Sequence, residues 1–185
     1  VFSTDFSTLI DRFAIGKLDR PSDTAYITAI IDDVMVYNYH LESKDIKGLF
    51  LAGNNGISEY SGKLPDCNPP NYDVSTNCIG WWKCDDQEGN TTVLDSANNN
   101  HGQLIGGKNT TDISTSGQIN NAFSFDGSND IVIVESNMIN GYGFTVSGWF
   151  YVNSVASDCV LWNLFYNNVS SNNMFYCYIK SGDNL

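Results

Sequence analysis

Residues 122–134, AFSFDGSNDIVIV, constrain the fold most. Two runs of aromatic and β-branched residues flank an Asp-Gly pair, which reads as two strands joined by a turn. A helix would need apolar residues at a 3.6 spacing and no Asp-Gly between them. The same kind of segment recurs along the chain. RFAIGKL at 12–18, YITAIIDDVMVY at 26–37, IGWWKC at 79–84 and GFTVSGWFYV at 143–152 all read as strands. In the second of these, Val34 and Val36 share one face, and Met35 and Tyr37 the other. CVLWNLFY at 159–166 and NMFYCYIK at 173–180 read as a hairpin across an Asn/Ser-rich turn. Short strands separated by turns predict an all-β, antiparallel β-sandwich, of jelly-roll type.

One helix interrupts the pattern. In LESKDIKGLF at 41–50, Ser43 suits an N-cap, Asp45 a first turn, and Ile46, Leu49 and Phe50 form an apolar side. A short helix is expected at 43–50. Residues 51–78 are rich in Gly, Asn, Ser and Pro without a period, and read as a linker.

Composition limits the partners. Hydrophobic residues make up 42% of the 185, enough for a packed core, and the net charge is −12. Nucleic acid and anionic membrane, both polyanions, are poor partners for such a chain; cations suit it. No apolar run reaches the length of a membrane span, so no membrane insertion is expected. The start, Val1-Phe2-Ser3, carries neither an initiator Met nor a signal peptide, which suggests a processed chain or a fragment. Five cysteines, Cys67, Cys78, Cys84, Cys159 and Cys177, form no C-x-x-C pair and are read as disulfide candidates of an oxidising compartment, with one left over. Cys67 with Cys78, and Cys159 with Cys177, are two of the open pairings. Sequons at Asn90, Asn109 and Asn168 are candidate glycosylation sites, although this composition produces such triplets by chance.

Several segments together resemble one family. GWWKCDDQEGN at 80–90 is similar to the Trp-x-aromatic-Asp opening of LamG-like domains, of the laminin G and concanavalin A-like lectin-glucanase superfamily; Cys84 stands where an aromatic is usual. LDSANNNHGQL at 94–104 resembles the family's Asp-Ser-x-x-Asn-x-x-His/Asp-Gly segment. GQINNAFSFDGSNDIVIV at 117–134 resembles its Gly-x-x-x-Asn-Ala-x-x-Phe-Asp-Gly-x-x-Asp signature, with Asn120 where Gly is usual. FTVSGWFYV at 144–152 is similar to the following strand. RFAIGKL and IIDDVMVYNYHLESKDIKGLF, at 12–18 and 30–50, resemble the family's closing strands and helix, with Ala29 where Gly is usual.

The order of these segments matters. Residues 1–50 resemble the C-terminal part of such a domain, 51–78 the linker, and 79–185 the N-terminal part of a second domain. The central strands the family usually carries are not recognisable. Each part alone would leave open sheet edges and an uncovered apolar face. Completion is therefore expected, either from adjacent repeats of a tandem array or from neighbouring copies in a filament or appendage.

The resemblance implies an extracellular or cell-surface, non-catalytic structural or adhesive module. The alternatives are a calcium-dependent, lectin-like glycan binder and an accessory domain of a secreted hydrolase. Matrix proteins and extracellular glycans are the implied partners. Two histidines, His40 and His101, are too few and too far apart for most nucleophile–base systems. Neighbouring carboxylates such as Asp32 and Asp33 should point to opposite faces of a strand, not oppose one another across a cleft. Asp126, Asn129 and Asp130 crowd one turn as calcium ligands would, with Asp32 or Asp85 as a further oxygen donor; the same residues also form turns unaided. Trp81, Trp82, Trp149 and Trp162 include candidates for sugar stacking, and Trp82 is expected in the core.

Overall fold

The structure, a computed structural model, describes residues 11–17, 25–54, 78–139, 143–152, 158–165 and 175–181. Its elements in chain order are β1 (Arg12–Ile15), β2 (Thr28–Tyr37), α1 (Ser43–Asn54), β3 (Cys78–Trp82), β4 (Thr92–Val93), β5 (Gly102–Ile105), α2 (Thr110–Ile113), β6 (Ser114–Ser116), β7 (Asn121–Asp126), β8 (Ile131–Glu135), β9 (Thr145–Val152), β10 (Cys159–Phe165) and β11 (Phe175–Ile179). One sheet runs β11-β10-β1-β8-β5-β4; the other joins β3, β2, β7 and β6, with β9 also on β2. All pairings are antiparallel, and the architecture is an all-β sandwich with two short helices.

The strand expectations from alternation hold at 12–15, 28–37, 145–152 and in the β10–β11 hairpin. The 122–134 segment does form two strands around its turn, but they do not pair. β7 joins β2 and β6, whereas β8 joins β1 and β5, so the turn arches from one sheet to the other. Phe123 and Phe125 then enter the core from one side and Val132 and Val134 from the other. Gly127, with φ of +79°, holds a conformation that side-chain-bearing residues rarely adopt, and a Cβ there would lie 2.2 Å from Thr28 Oγ1.

Strands from residues 12–37 and from residues 78–179 are interleaved. β1 lies between β8 and β10, with Phe13 opposite Val134 on one side and Leu164 on the other. β2 carries β9 along one edge, while β7 takes its first half (residues 28–31) and β3 its second (residues 34–37) on the other. The core is shared in the same way: Phe13 stacks on Trp82 at 5.3 Å and leans on Trp162 at 6.2 Å. Each segment therefore supplies strands that cover the other's apolar face.

Two helix expectations are corrected. α1 begins one residue after Glu42, and the Glu42 backbone N–H donates to Asp45 Oδ2 at 2.8 Å, so the cap lies at Glu42 and not Ser43. The helix also runs on to Asn54, into the stretch assigned to a linker. A second, one-turn helix, α2, was not foreseen. Asn109 caps it: its Oδ1 accepts from the Asp112 N–H, and the Asp112 carboxylate accepts from the Asn109 N–H, both at 3.0 Å.

The Asp-Ser-x-x-Asn segment acts as a latch. Asp95 accepts from the backbone N–H groups of Trp81, Ala97 and Asn100 at 2.8–3.0 Å, and its own N–H donates to His101 Nδ1. These bonds hold the 95–101 loop against β3, where Trp82 Nε1 also donates to the Asn100 carbonyl.

Candidate functional site

β2 breaks its alternation where its partner changes. Ala29 and Ile31 face the core, then Val34 and Val36 do, so the phase slips by one residue between them. Asp33 absorbs the slip with φ of +49°, and the register with β9 shifts between Asp32 and Met35. Such a bulge lets consecutive side chains leave the core together. The expectation that Asp32 and Asp33 point to opposite faces is thereby overturned: both border the outer face.

On that face β9 lays down Trp149 and Tyr151, two residues apart and hence on one side of the strand. Asp32 stands opposite Trp149 and Ile30 opposite Tyr151. Two hollows adjoin there and share Trp149. The first, about 210 Å³, lies under α1 between Met35, Leu49, Phe50 and Trp149, with Asp33 in its wall. The second, about 380 Å³, is bordered by Asp32, Ser116, Gln118, Trp149 and Tyr151. α1 braces the indole between them. Gly53 approaches so closely that a Cβ would meet the Trp149 ring at 2.5 Å, and Phe50 packs on it at 5.5 Å. Gln118 Nε2 donates to the Gly53 carbonyl at 3.3 Å, tying the turn before β7 to the helix end.

The two carboxyls are buried at 2–3% exposure. Asp32 Oδ2 accepts from the Ile119 N–H at 2.9 Å, while Oδ1 has no hydrogen-bond partner. Burial pushes Asp32 up to about 7, with negative Asp33 and Asp85 adding to the rise against the Ile119 bond. Asp33 is raised to about 6 by burial, although its Oδ1 accepts from Trp81 Nε1 at 2.7 Å. Burial likewise raises the Cys84 thiol, and the nearby aspartates reinforce it.

The residues expected to hold calcium are separated. Asp126 and Asp130 do meet, but Lys108 Nζ sits between them at 2.7 and 2.9 Å. Asn129 turns its amide to the Gly106 carbonyl at 3.0 Å, and Asp32 belongs to the outer face of the other sheet. No group of three or more His, Cys, Asp or Glu among the described residues is arranged to hold a metal ion. The internal ammonium was legible only as a lone Lys108, far from the turn in sequence.

Disulfides are not formed at Cys78, Cys84, Cys159 or Cys177. Cys84 and Cys159 are core residues, and the β10–β11 register sets Cys177 opposite Trp162 and Cys159 opposite Ile179, so the proposed hairpin bridge is lost. Cys67 lies outside the described residues, as does Asn168. Of the other sequons, Asn90 is exposed and its Oδ1 accepts from the Thr92 N–H at 2.8 Å, while Asn109 is occupied in capping α2. Trp82 is in the core as expected. Trp81 is engaged on both sides, by Asp33 and by Lys83 Nζ 4.5 Å from its ring centre. Trp162 packs on Phe13 and Phe144 at the core, and Trp149 borders both outer-face hollows.

No helix among the described residues is long and apolar enough to cross a membrane. Comparison with models of protein families, with characterised proteins and with solved structures gives no match to this chain.

Proposed function

We propose that the chain is a non-catalytic structural and adhesive module of an extracellular protein, built on a LamG-like jelly roll. The observation that carries this reading is the placement of β1 and β2. Both are interior strands, flanked on each side by strands of residues 78–165. Such a sandwich covers its own core from one polypeptide, which supports a self-contained module over one completed by strands from neighbouring copies. With the described thiols unpaired, the extracellular placement rests on the resemblance of segments 12–50 and 80–152 and not on cross-links. The outer-face hollows beside Trp149 supply the adhesive surface.

Light scattering on the purified chain over a hundredfold concentration range tests the closure, with one monomeric mass expected. Growth of mass with concentration, or filaments in electron micrographs, overturns it. Beads coated with the chain are expected to adhere to extracellular matrix more than beads coated with a heat-unfolded sample. Equal retention overturns the adhesive role.

A further inference from the structure

The bulge in β2 treats its two carboxyls differently. Asp32 Oδ1 is enclosed and unpartnered, out of reach of a molecule on the outer face. Asp33 stands in the wall of the first hollow, the one under α1. Its Oδ1 is taken by Trp81 Nε1, while Oδ2 has no hydrogen-bond partner among the described residues and is not shut away from solvent. The positive φ of Asp33 carries this carboxyl off the core face, although Val34 beside it stays in the core.

Most of the remaining wall is apolar. Met35 and Leu49 line it with the rings of Phe50 and Trp149, which lie 5.5 Å apart, and Ser147 adds a hydroxyl. Gly53 and Phe50 of α1 hold the indole, so the hollow is shaped before any ligand arrives. Its volume, about 210 Å³, is below the roughly 300–1,000 Å³ of sites for drug-sized molecules, which limits the ligand to a smaller one.

Charge selects the chemistry. Asp33 makes no ion pair among the described residues, feels the repulsion of Asp85, and is only partly offset by Lys83, whose Nζ lies over the Trp81 ring. An anion would meet like charge here. A divalent metal takes six or more oxygen ligands, and no group of three or more acidic, His or Cys side chains is arranged for one among the described residues. An organic ammonium needs a single carboxylate, its stem suits apolar walls, and aromatic faces attract its charge.

We infer that the hollow under α1 binds a small primary ammonium ion on a short aryl or alkyl stem, its N–H groups donating to Asp33 Oδ2 and the Ser147 hydroxyl and its stem packed among Leu49, Phe50 and Trp149. The external cation supplies the ion pair that the fold gives Asp130 through Lys108 and withholds from Asp33. The inference goes beyond the adhesive reading and does not rest on it, since a soluble ligand needs no partner surface.

The test is calorimetric titration of the whole chain at pH 7.5 with 2-phenylethylammonium, with 2-phenylethanol as the uncharged match and 3-phenylpropionate as the anionic one. Saturation by the ammonium is expected below about 10 mM, with the alcohol at least about tenfold weaker, the size of one lost charge-assisted bond, and no heat from the carboxylate. Asp33→Asn should weaken the ammonium by the same factor. Asparagine tolerates the positive φ and its amide oxygen can still accept from Trp81, so this variant should unfold no lower than the native chain. Phe50→Ala, at a half-exposed helical position, should cost about threefold in affinity. Three results overturn the inference: no saturation by the ammonium, equal affinity for the alcohol, or an affinity unchanged in Asp33→Asn. The first two need no variant, so they decide the matter even if a substitution spoils the fold. The bead assay above reads adhesion separately, so either conclusion can fail while the other stands.

Discussion

Two acidic pairs in this sandwich meet opposite electrostatic conditions. At the arch between β7 and β8, Asp126 and Asp130 share the ammonium of Lys108, which holds the Asp126 carboxyl below its ordinary value and is itself raised by the same bonds. At the break in β2, Asp32 and Asp33 are as buried as Asp130, and burial drives them up to about 7 and about 6, with Asp33 and Asp85 adding to the rise of Asp32 and Asp85 to that of Asp33. Asp32 and Asp33 are adjacent in sequence and Asp126 and Asp130 lie within one turn, so both pairs are close along the chain. What differs is whether a lysine makes a direct ion pair: Lys108 bonds both carboxylates at the arch, whereas Lys83 only partly offsets the burial of Asp33. The first pair is therefore an ionic clasp, and the second is held only by neutral donors, the Ile119 N–H and Trp81 Nε1.

The largest effect expected from breaking this contrast is at Lys108. Lys108→Met leaves Asp130 buried without its counter-charge, and removal of one member of such a pair costs about 3 kcal/mol, somewhat reduced because Lys108 is one-third exposed. Chemical denaturation should show this loss. Millimolar calcium should leave the native chain's unfolding temperature unchanged and raise that of Lys108→Met, because the ion can then enter between Asp126 and Asp130. A calcium shift in the native chain would contradict the clasp.

Next in size is the pH dependence set by Asp32 and Asp33. Their folded values, about 7 and about 6, lie above the unfolded value of 3.8, so the folded chain holds protons that the unfolded chain has released. The stability from this source is complete below about pH 4 and is lost as pH rises through 6 and 7, about 4 kcal/mol of it for the pair between pH 5 and pH 8. Thermal unfolding at pH 5 and pH 8 should therefore show higher stability at pH 5. Asp32→Asn should flatten that difference and exceed the native chain by about 1–2 kcal/mol at pH 8. Parallel pH profiles for the native chain and Asp32→Asn would sink this account.

Asp126→Asn is expected to have the smallest effect. The Asp126 side chain is 42% exposed and Asp130 still holds Lys108, so the loss should stay below about 1 kcal/mol. A loss as large as that of Lys108→Met, measured in the same denaturant series, would mean that the exposed carboxylate and not the buried one anchors the clasp.

Much of the fold was legible because it follows from short-range pattern. Alternation marked β1, β2, β9 and the β10–β11 hairpin, and the apolar spacing of Ile46, Leu49 and Phe50 marked α1. That apolar side proved to border a hollow and not to be buried: Ile46 and Phe50 stay about half exposed, at 54% and 51%. The candidate site was less legible. Trp149 and Asp32 were each visible, but their juxtaposition needs the β2–β9 register, which a bulge at Asp33 resets.

The sequence by itself determined that this polypeptide makes short antiparallel strands, a turn at Asp126-Gly127 and a helix through Ile46, Leu49 and Phe50, since side-chain period and turn chemistry act over a few residues. Only the tertiary structure decided that β7 and β8 enter different sheets, that β1 and β2 lie among strands from far along the chain, and that Lys108 reaches one acidic pair and not the other. The reason is physical: alternation says which face of a strand is apolar but not which strand it lies beside, and the charge state of a buried carboxyl depends on neighbours that only folding assembles.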